Sequence, residues 1–320
     1  MIVRKIRHIL AAFCVASLPS ALAGAQELGD RLPQIEMPGL STYAPAPKTS
    51  PLATAGLGRI TLAAQLVDEG AEITRGLVWR VFDTEPGPDG KLKLVASAKG
   101  GAQSFDLSPG QYLVHASYGR AGATKRISVG NDARREALVL DAGGLKLDAE
   151  NSGGQHIPSE KLRFSIYEAD EKQGAGERAL ILPDVSPNTV IRLNAGTYQV
   201  VSTYGNVNAV IRSDIKVEAG KLTEATVEHR AAEITMKLVR QSGGEAIADT
   251  SWSVQTNSGD PVRESVGAYA SMVLAEGDYT IVAKNRDHIY QRDFTVEAGN
   301  NAEVEVIADE SAPAAVEGAD

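Results

Sequence analysis

Leu107-Ser-Pro-Gly110-Gln-Tyr112 decides the fold of this chain, because the same pattern is written three times. It returns as Leu193-Asn-Ala-Gly196-Thr-Tyr198 and as Leu274-Ala-Glu-Gly277-Asp-Tyr279, with the glycines 86 and 81 residues apart. A repeat of that period marks a tandem array in which each copy is one unit. The residue types suit a corner where the chain crosses between two sheets. The leucine ends one strand on the core side, and the glycine eases the backbone where φ turns positive. The tyrosine opens the next strand with its ring buried and its hydroxyl free to pin the crossover to a loop group.

Outward from the corner, more of each unit recurs. Trp79, Phe164 and Trp252 stand 31, 32 and 25 residues before the glycines, on strands expected to bury an aromatic. Each tyrosine runs into an alternating stretch, as in Tyr112-Leu-Val114-His-Ala116. A further strand ends at a glycine turn, at Gly130, Gly220 and Gly299, and a last strand follows at Ala137 to Leu140, Thr223 to Glu228 and Ala302 to Ile307. The period-2 pattern predicts about seven strands per unit. The fold expected is all-β: three tandem seven-stranded antiparallel sandwiches at 59–143, 144–231 and 232–308, in a rod-like series.

The flanks differ. Arg4, Lys5, Arg7 and His8 precede an apolar run from Ile9 to Ala23, and Ala21-Leu-Ala23 fits a peptidase site. Residues 1–24 therefore read as a signal peptide, cleaved after Ala23 or Ala25, and no second run is long enough to span a membrane. Residues 25–58, with Pro33, Pro38, Pro45, Pro47 and Pro51, read as an extended linker, and 309–320 as a disordered acidic tail. The one cysteine, Cys14, falls inside the signal. The exported chain is thus expected to hold together by burial alone, with no disulfide or thiolate metal site. Net charge is −9, and −12 once Arg4, Lys5 and Arg7 are removed, which argues against nucleic-acid partners.

Leu-x-x-Gly-x-Tyr followed by Val-x-Ala, with a later Val-x-x-Gly turn, resembles the carboxypeptidase regulatory-like and transthyretin-like modules of exported proteobacterial proteins. These belong to the wider set of immunoglobulin-like and collagen-adhesin B-type repeats. The resemblance covers residues 59–308 and implies spacers, accessory domains or binding surfaces in the periplasm or outside the cell. The urate-derivative hydrolase branch carries a histidine pair and a C-terminal Tyr-Arg-Gly-Ser, and this chain lacks that ending.

Chemistry is sparse. His115, His156, His229 and His288 show no metal-ligand spacing and read as surface or loop residues. No nucleophile elbow or phosphate loop occurs. The acids Asp68, Glu69 and Glu72, and Glu168, Asp170 and Glu171, read as turn residues, while Asp83, Glu85 and Asp89, and Asp148, Glu150 and Asn151, are the best local clusters for calcium and match no defined calcium loop. No catalytic residue, cofactor or metal is expected. Tyr118 and Tyr204, in recurring Tyr-Gly pairs, and Tyr290 nearby in the third unit are candidate partner-binding aromatics near hairpin tips. The alternative is that they cap a sandwich or touch the next module. The third unit has Asn285-Arg286 in place of the Tyr-Gly pair. The function expected is a non-catalytic binding or spacer protein that contacts a protein or a cell-envelope polymer. The alternatives are a self-associating structural protein of the envelope and an enzyme with a carboxylate pair.

Overall fold

A computed structural model describes residues 56–171 and 178–309. The stretch read as a signal peptide (1–24), most of that read as a linker (25–58) and nearly all of that read as an acidic tail (309–320) lie outside the described residues.

The first module contains β1 (Gly58–Gln65), β2 (Leu77–Pro86), β3 (Leu92–Gly100), β4 (Gln103–Leu107), β5 (Gly110–Tyr118), β6 (Ala121–Val129) and β7 (Arg134–Val139). The second contains β8 (Ala142–Asn151), β9 (Leu162–Glu171), β10 (Arg178–Val185), β11 (Val190–Asn194), β12 (Gly196–Tyr204), β13 (Val210–Val217) and β14 (Leu222–His229). The third contains β15 (Ala231–Val239), β16 (Thr250–Thr256), β17 (Pro261–Val266), β18 (Tyr269–Ala275), β19 (Gly277–Asn285), β20 (His288–Val296) and β21 (Ala302–Ile307). Each module is a sandwich of a three-stranded and a four-stranded sheet, ordered β4-β1-β7 and β3-β2-β5-β6 in the first and likewise in the others.

The period-2 alternation builds three hydrophobic centres. Ile60, Leu62, Trp79, Val81, Val114 and Leu138 form the first, Leu145, Leu147, Phe164, Ile166 and Val200 the second, and Ile234, Met236, Trp252, Val254 and Ile281 the third. Trp79 and Trp252 each donate the indole N–H to a backbone carbonyl, of Gly101 and Gly267, at 2.8 Å. The corner forms in every copy: Tyr112, Tyr198 and Tyr279 donate their hydroxyls to the carbonyls of Ser108, Asn194 and Ala275, each at 2.9 Å. Gly196 and Gly277 take positive φ there, at 155° and 150°, whereas Gly110 does not.

The pairing is not wholly antiparallel. In each three-stranded sheet the last strand runs parallel to the first, β7 to β1, β14 to β8 and β21 to β15. A parallel closing strand leaves the module at the end opposite to where the first strand began. The next module must then sit end-on. Leu140 and Asp141 alone separate β7 from β8, and Arg230 alone separates β14 from β15. Modules joined by one or two residues have almost no linker through which to swing.

Candidate functional site

The two joints are the most elaborated places among the described residues. Each is built from a hairpin tip of one module and the tyrosine corner of the next. At the first joint the Arg120 N–H donates to the Arg192 carbonyl at 3.0 Å, and the Arg192 guanidinium lies 4.4 Å over the Tyr118 ring. The Asn194 carboxamide bridges the modules. Its oxygen accepts the Gly122 N–H at 3.2 Å, and its nitrogen donates to the carbonyls of Gly122 (3.1 Å) and Leu140 (2.7 Å). At the second joint the bridging residue is Asn208. Its oxygen accepts the Ala275 N–H at 3.0 Å, and its nitrogen donates to the Tyr279 hydroxyl at 2.8 Å.

These contacts occupy matching positions with the roles exchanged. Gly122 and Asn208 each lie twelve residues after their corner glycine, and Asn194 and Ala275 each lie two before theirs. The facing pair is Gly122 with Asn194 in one joint and Asn208 with Ala275 in the other. Each joint holds one carboxamide opposite a small residue. The backbone adds a second tie, from Ala195 N–H to the Asp141 carbonyl (2.7 Å) and from Glu276 N–H to the Arg230 carbonyl (2.9 Å). The second joint also exchanges core residues: Val273 of β18 belongs to the second module's centre, while Val207 of the tip packs on the third. Lys161 and Glu233 pair across it at 2.7 Å, which raises the Lys161 amine above its ordinary pKa.

His229 is the residue that the sequence reading misplaced. It is fully buried at the end of β14, one residue before the second joint, rather than on a surface or loop. Its Nε2 lies 2.7 Å from the Ser202 hydroxyl, its ring meets Tyr204 edge-on at 5.8 Å, and its Nδ1 has no hydrogen-bond partner among the described residues. Burial lowers its pKa from 6.5 to about 4, because a charged imidazole would lose its hydration there. A base whose folded pKa lies below its unfolded one adds stability that is complete above the unfolded value. That stability is lost as pH falls towards the folded value. The second module should therefore weaken between pH 6.5 and about 4. Urea unfolding of the native chain and of His229→Gln across that range checks this. The native midpoint should fall more steeply, and equal slopes would remove His229 from the account.

The candidate aromatics occupy three different settings. Tyr204 is buried in the second module's centre, and Tyr118 is half-buried beneath Arg192, so both rings serve the joints. Tyr290 is partly buried against the third module's centre, with His288 stacked on it at 6.2 Å. Arg286 fills the place of Gly119 and Gly205 and keeps their positive φ, at 55°. His115 points away from the core and meets the Thr124 hydroxyl at 2.9 Å, while His156 lies 3.1 Å from Asp148. Glu72 is paired with Arg135 at 2.6 Å. Among the described residues no group of three or more His, Cys, Asp or Glu gathers as a metal site. None of the helices there is long and apolar enough to cross a membrane. The joints were not legible in advance, because nothing in the sequence around Asn194 or Asn208 marks a partner 72 or 67 residues away. The one signal was that the Tyr-Gly pair is present in two units and absent from the third.

Comparison with curated proteins finds no match. Among solved structures the chain is similar to the Bacillus anthracis TIE protein, at 17% identity over 79% of this chain and 50% of that one, with a TM-score of 0.24. The chain thus spans half the length of that relative. It is also similar to GBS52, the minor pilin of the Gram-positive pathogen Streptococcus agalactiae, at 13% identity over 54% of this chain and 95% of that one, TM-score 0.30. A streptococcal ancillary pilin gives 12% identity over 79% and 99%, TM-score 0.30. Scores of this size carry no argument about function. Residues 233–308, nearly all of the third module, match the family described as the Rhizobiales growth-associated tandem repeat domain.

Proposed function

We propose that this chain is an exported, non-catalytic spacer that holds three sandwich modules in a fixed series and presents them to a protein or cell-envelope polymer. The observation that carries the reading is the pair of joints, each closed by one bridging carboxamide over a connection of one or two residues. A catalyst needs a cleft with converging groups, whereas a spacer needs the angle between its parts to be held. Fixed orientation also lowers the entropic cost of a partner that contacts more than one module. The signal-like residues 1–24 and the resemblance to carboxypeptidase regulatory-like spacers support export to the periplasm or beyond. Tyr290, stacked with His288 and partly buried on the third module's centre, is the candidate aromatic that neither joint uses.

Cross-linking in the native envelope, with identification of the attached partner and of the mature N-terminus, tests this. The expected result is a chain cleaved after Ala23 or Ala25 that cross-links through more than one module to the same partner. An uncleaved chain recovered with cytoplasmic proteins would overturn it.

A further inference from the structure

We propose that the outer face of the first module's four-stranded sheet docks on the matching face of the third module in a second copy of this chain. The first of these faces combines apolar and cationic side chains. Leu94, Phe82, Leu113 and Arg126 sit opposite one another on β3, β2, β5 and β6, forming one row across the sheet. Leu94 is 49% exposed, and neither Phe82 nor Leu113 contributes to the module's hydrophobic centre. In the neighbouring rows Arg80 stands opposite His115, and Lys99 opposite Val78. Arg80, Lys99 and Arg126 are exposed, and none has an ion-pair partner among the described residues.

On the equivalent face of the third module the carboxylates Glu264, Asp278 and Asp293 outnumber the cation Lys284. Asp293 occupies the position of Arg126, each sixteen residues after its corner glycine, and Glu264 lies on the edge strand β17. Asp293 and Asp278 accept hydrogen bonds from the Thr280 and Thr295 hydroxyls at 2.7 Å, and neither has a cationic partner among the described residues. A concavity of 390 Å³ opens between Glu264, Val266, Val282 and Lys284, with Val266 76% exposed. The apolar row of the first module offers a ridge for that hollow. The wider charge runs the same way. Residues 58–141 hold eleven Lys and Arg against ten Asp and Glu, and residues 230–309 hold seven against thirteen. A second copy laid first module to third brings unlike charges together, whereas like modules would repel. A free anionic polymer would use the cations but leave both apolar features uncovered, so the second copy is the better occupant.

The test is sedimentation velocity of the mature chain across protein and salt concentration, with R126D and D293R as variants. Native protein should associate reversibly, and more weakly at high salt, where charge attraction is screened. Each variant alone sets like charges against each other and should weaken association about tenfold or more. An equimolar mixture of R126D and D293R should restore it, because each chain then offers the charge that the other lacks. Both positions are exposed, so the thermal midpoints should stay near native, and E264K serves as a further variant on the same face. A native chain that stays monomeric would overturn the proposal, as would association untouched by either variant or a mixture that fails to recover. Binding of dextran sulfate to a monomeric chain, lost in R126D, would assign the face to a polymer instead.

Discussion

Replacing Trp79 with alanine is expected to cost the first module about 3–5 kcal/mol and to leave the third almost untouched. Trp79 is fully buried in the first hydrophobic centre, and its indole N–H holds the Gly101 carbonyl at 2.8 Å. Alanine would open a cavity and strand that acceptor as well, so both losses fall on one site. With typical domain stability of about 5–15 kcal/mol, a loss of this size populates the unfolded module. The chain has two tryptophans, one in the first module and one in the third, so each variant leaves a single reporter. In Trp79→Ala the fluorescence of Trp252 should unfold in urea near its native midpoint, while circular dichroism shows an earlier transition. Trp79→Phe should recover much of the loss, because it refills most of the volume and forgoes the hydrogen bond and the remainder of the indole. If the Trp252 signal shifts by the full amount, the modules unfold as one body and the reading of three separate centres fails.

Gly205→Val should disrupt the second joint by roughly 2–5 kcal/mol, the sum of a left-handed backbone cost and overpacking. Gly205 has φ of 71°, and a Cβ placed on it would lie 2.7 Å from the Cβ of Val273 in the next module. The backbone cost is local to the turn, and the overlap can relax only if Val273 or its module shifts. The same change at Gly119, with φ of 67° and a Cβ 3.0 Å from that of Arg192, should act in the same direction but less strongly. Arg286 holds the matching position in the third module with φ of 55°. Arg286→Gly relieves backbone strain and should be neutral or stabilising by up to about 1 kcal/mol. Thermal unfolding gives the stabilities, and small-angle scattering shows whether Gly205→Val broadens the arrangement of the modules. A Gly205→Val chain with native midpoint and native scattering would show that the joint is loose, and the spacer reading would lose its support.

His229 shows where sequence reading stopped short. The last strand of the second module was expected to end at Glu228, yet β14 runs one residue further. At that residue the alternation Thr223, Ala225, Val227 continues inward to His229. The matching position in the first module is Leu140, which is also buried. A polar residue at an apolar place passes for a loop residue until its strand is seen to continue. Tyr204 shows a different limit. Its recurrence with Gly205 was visible, but whether the ring faced solvent or the next module depended on groups far along the chain.

Strand number, core aromatics and the tyrosine corner followed from the sequence alone. Alternation, turn glycines and a hydroxyl four residues from its acceptor are short-range relations that any stretch of chain displays. Only the tertiary structure decided how one module meets the next. The parallel pairing of first and last strands sends the chain out of the far end of each sandwich. That exit brings Gly122 to Asn194 and Asn208 to Ala275, pairs 72 and 67 residues apart. Such partners have no local signature, because a carboxamide shows its role only when the group it bridges stands in front of it.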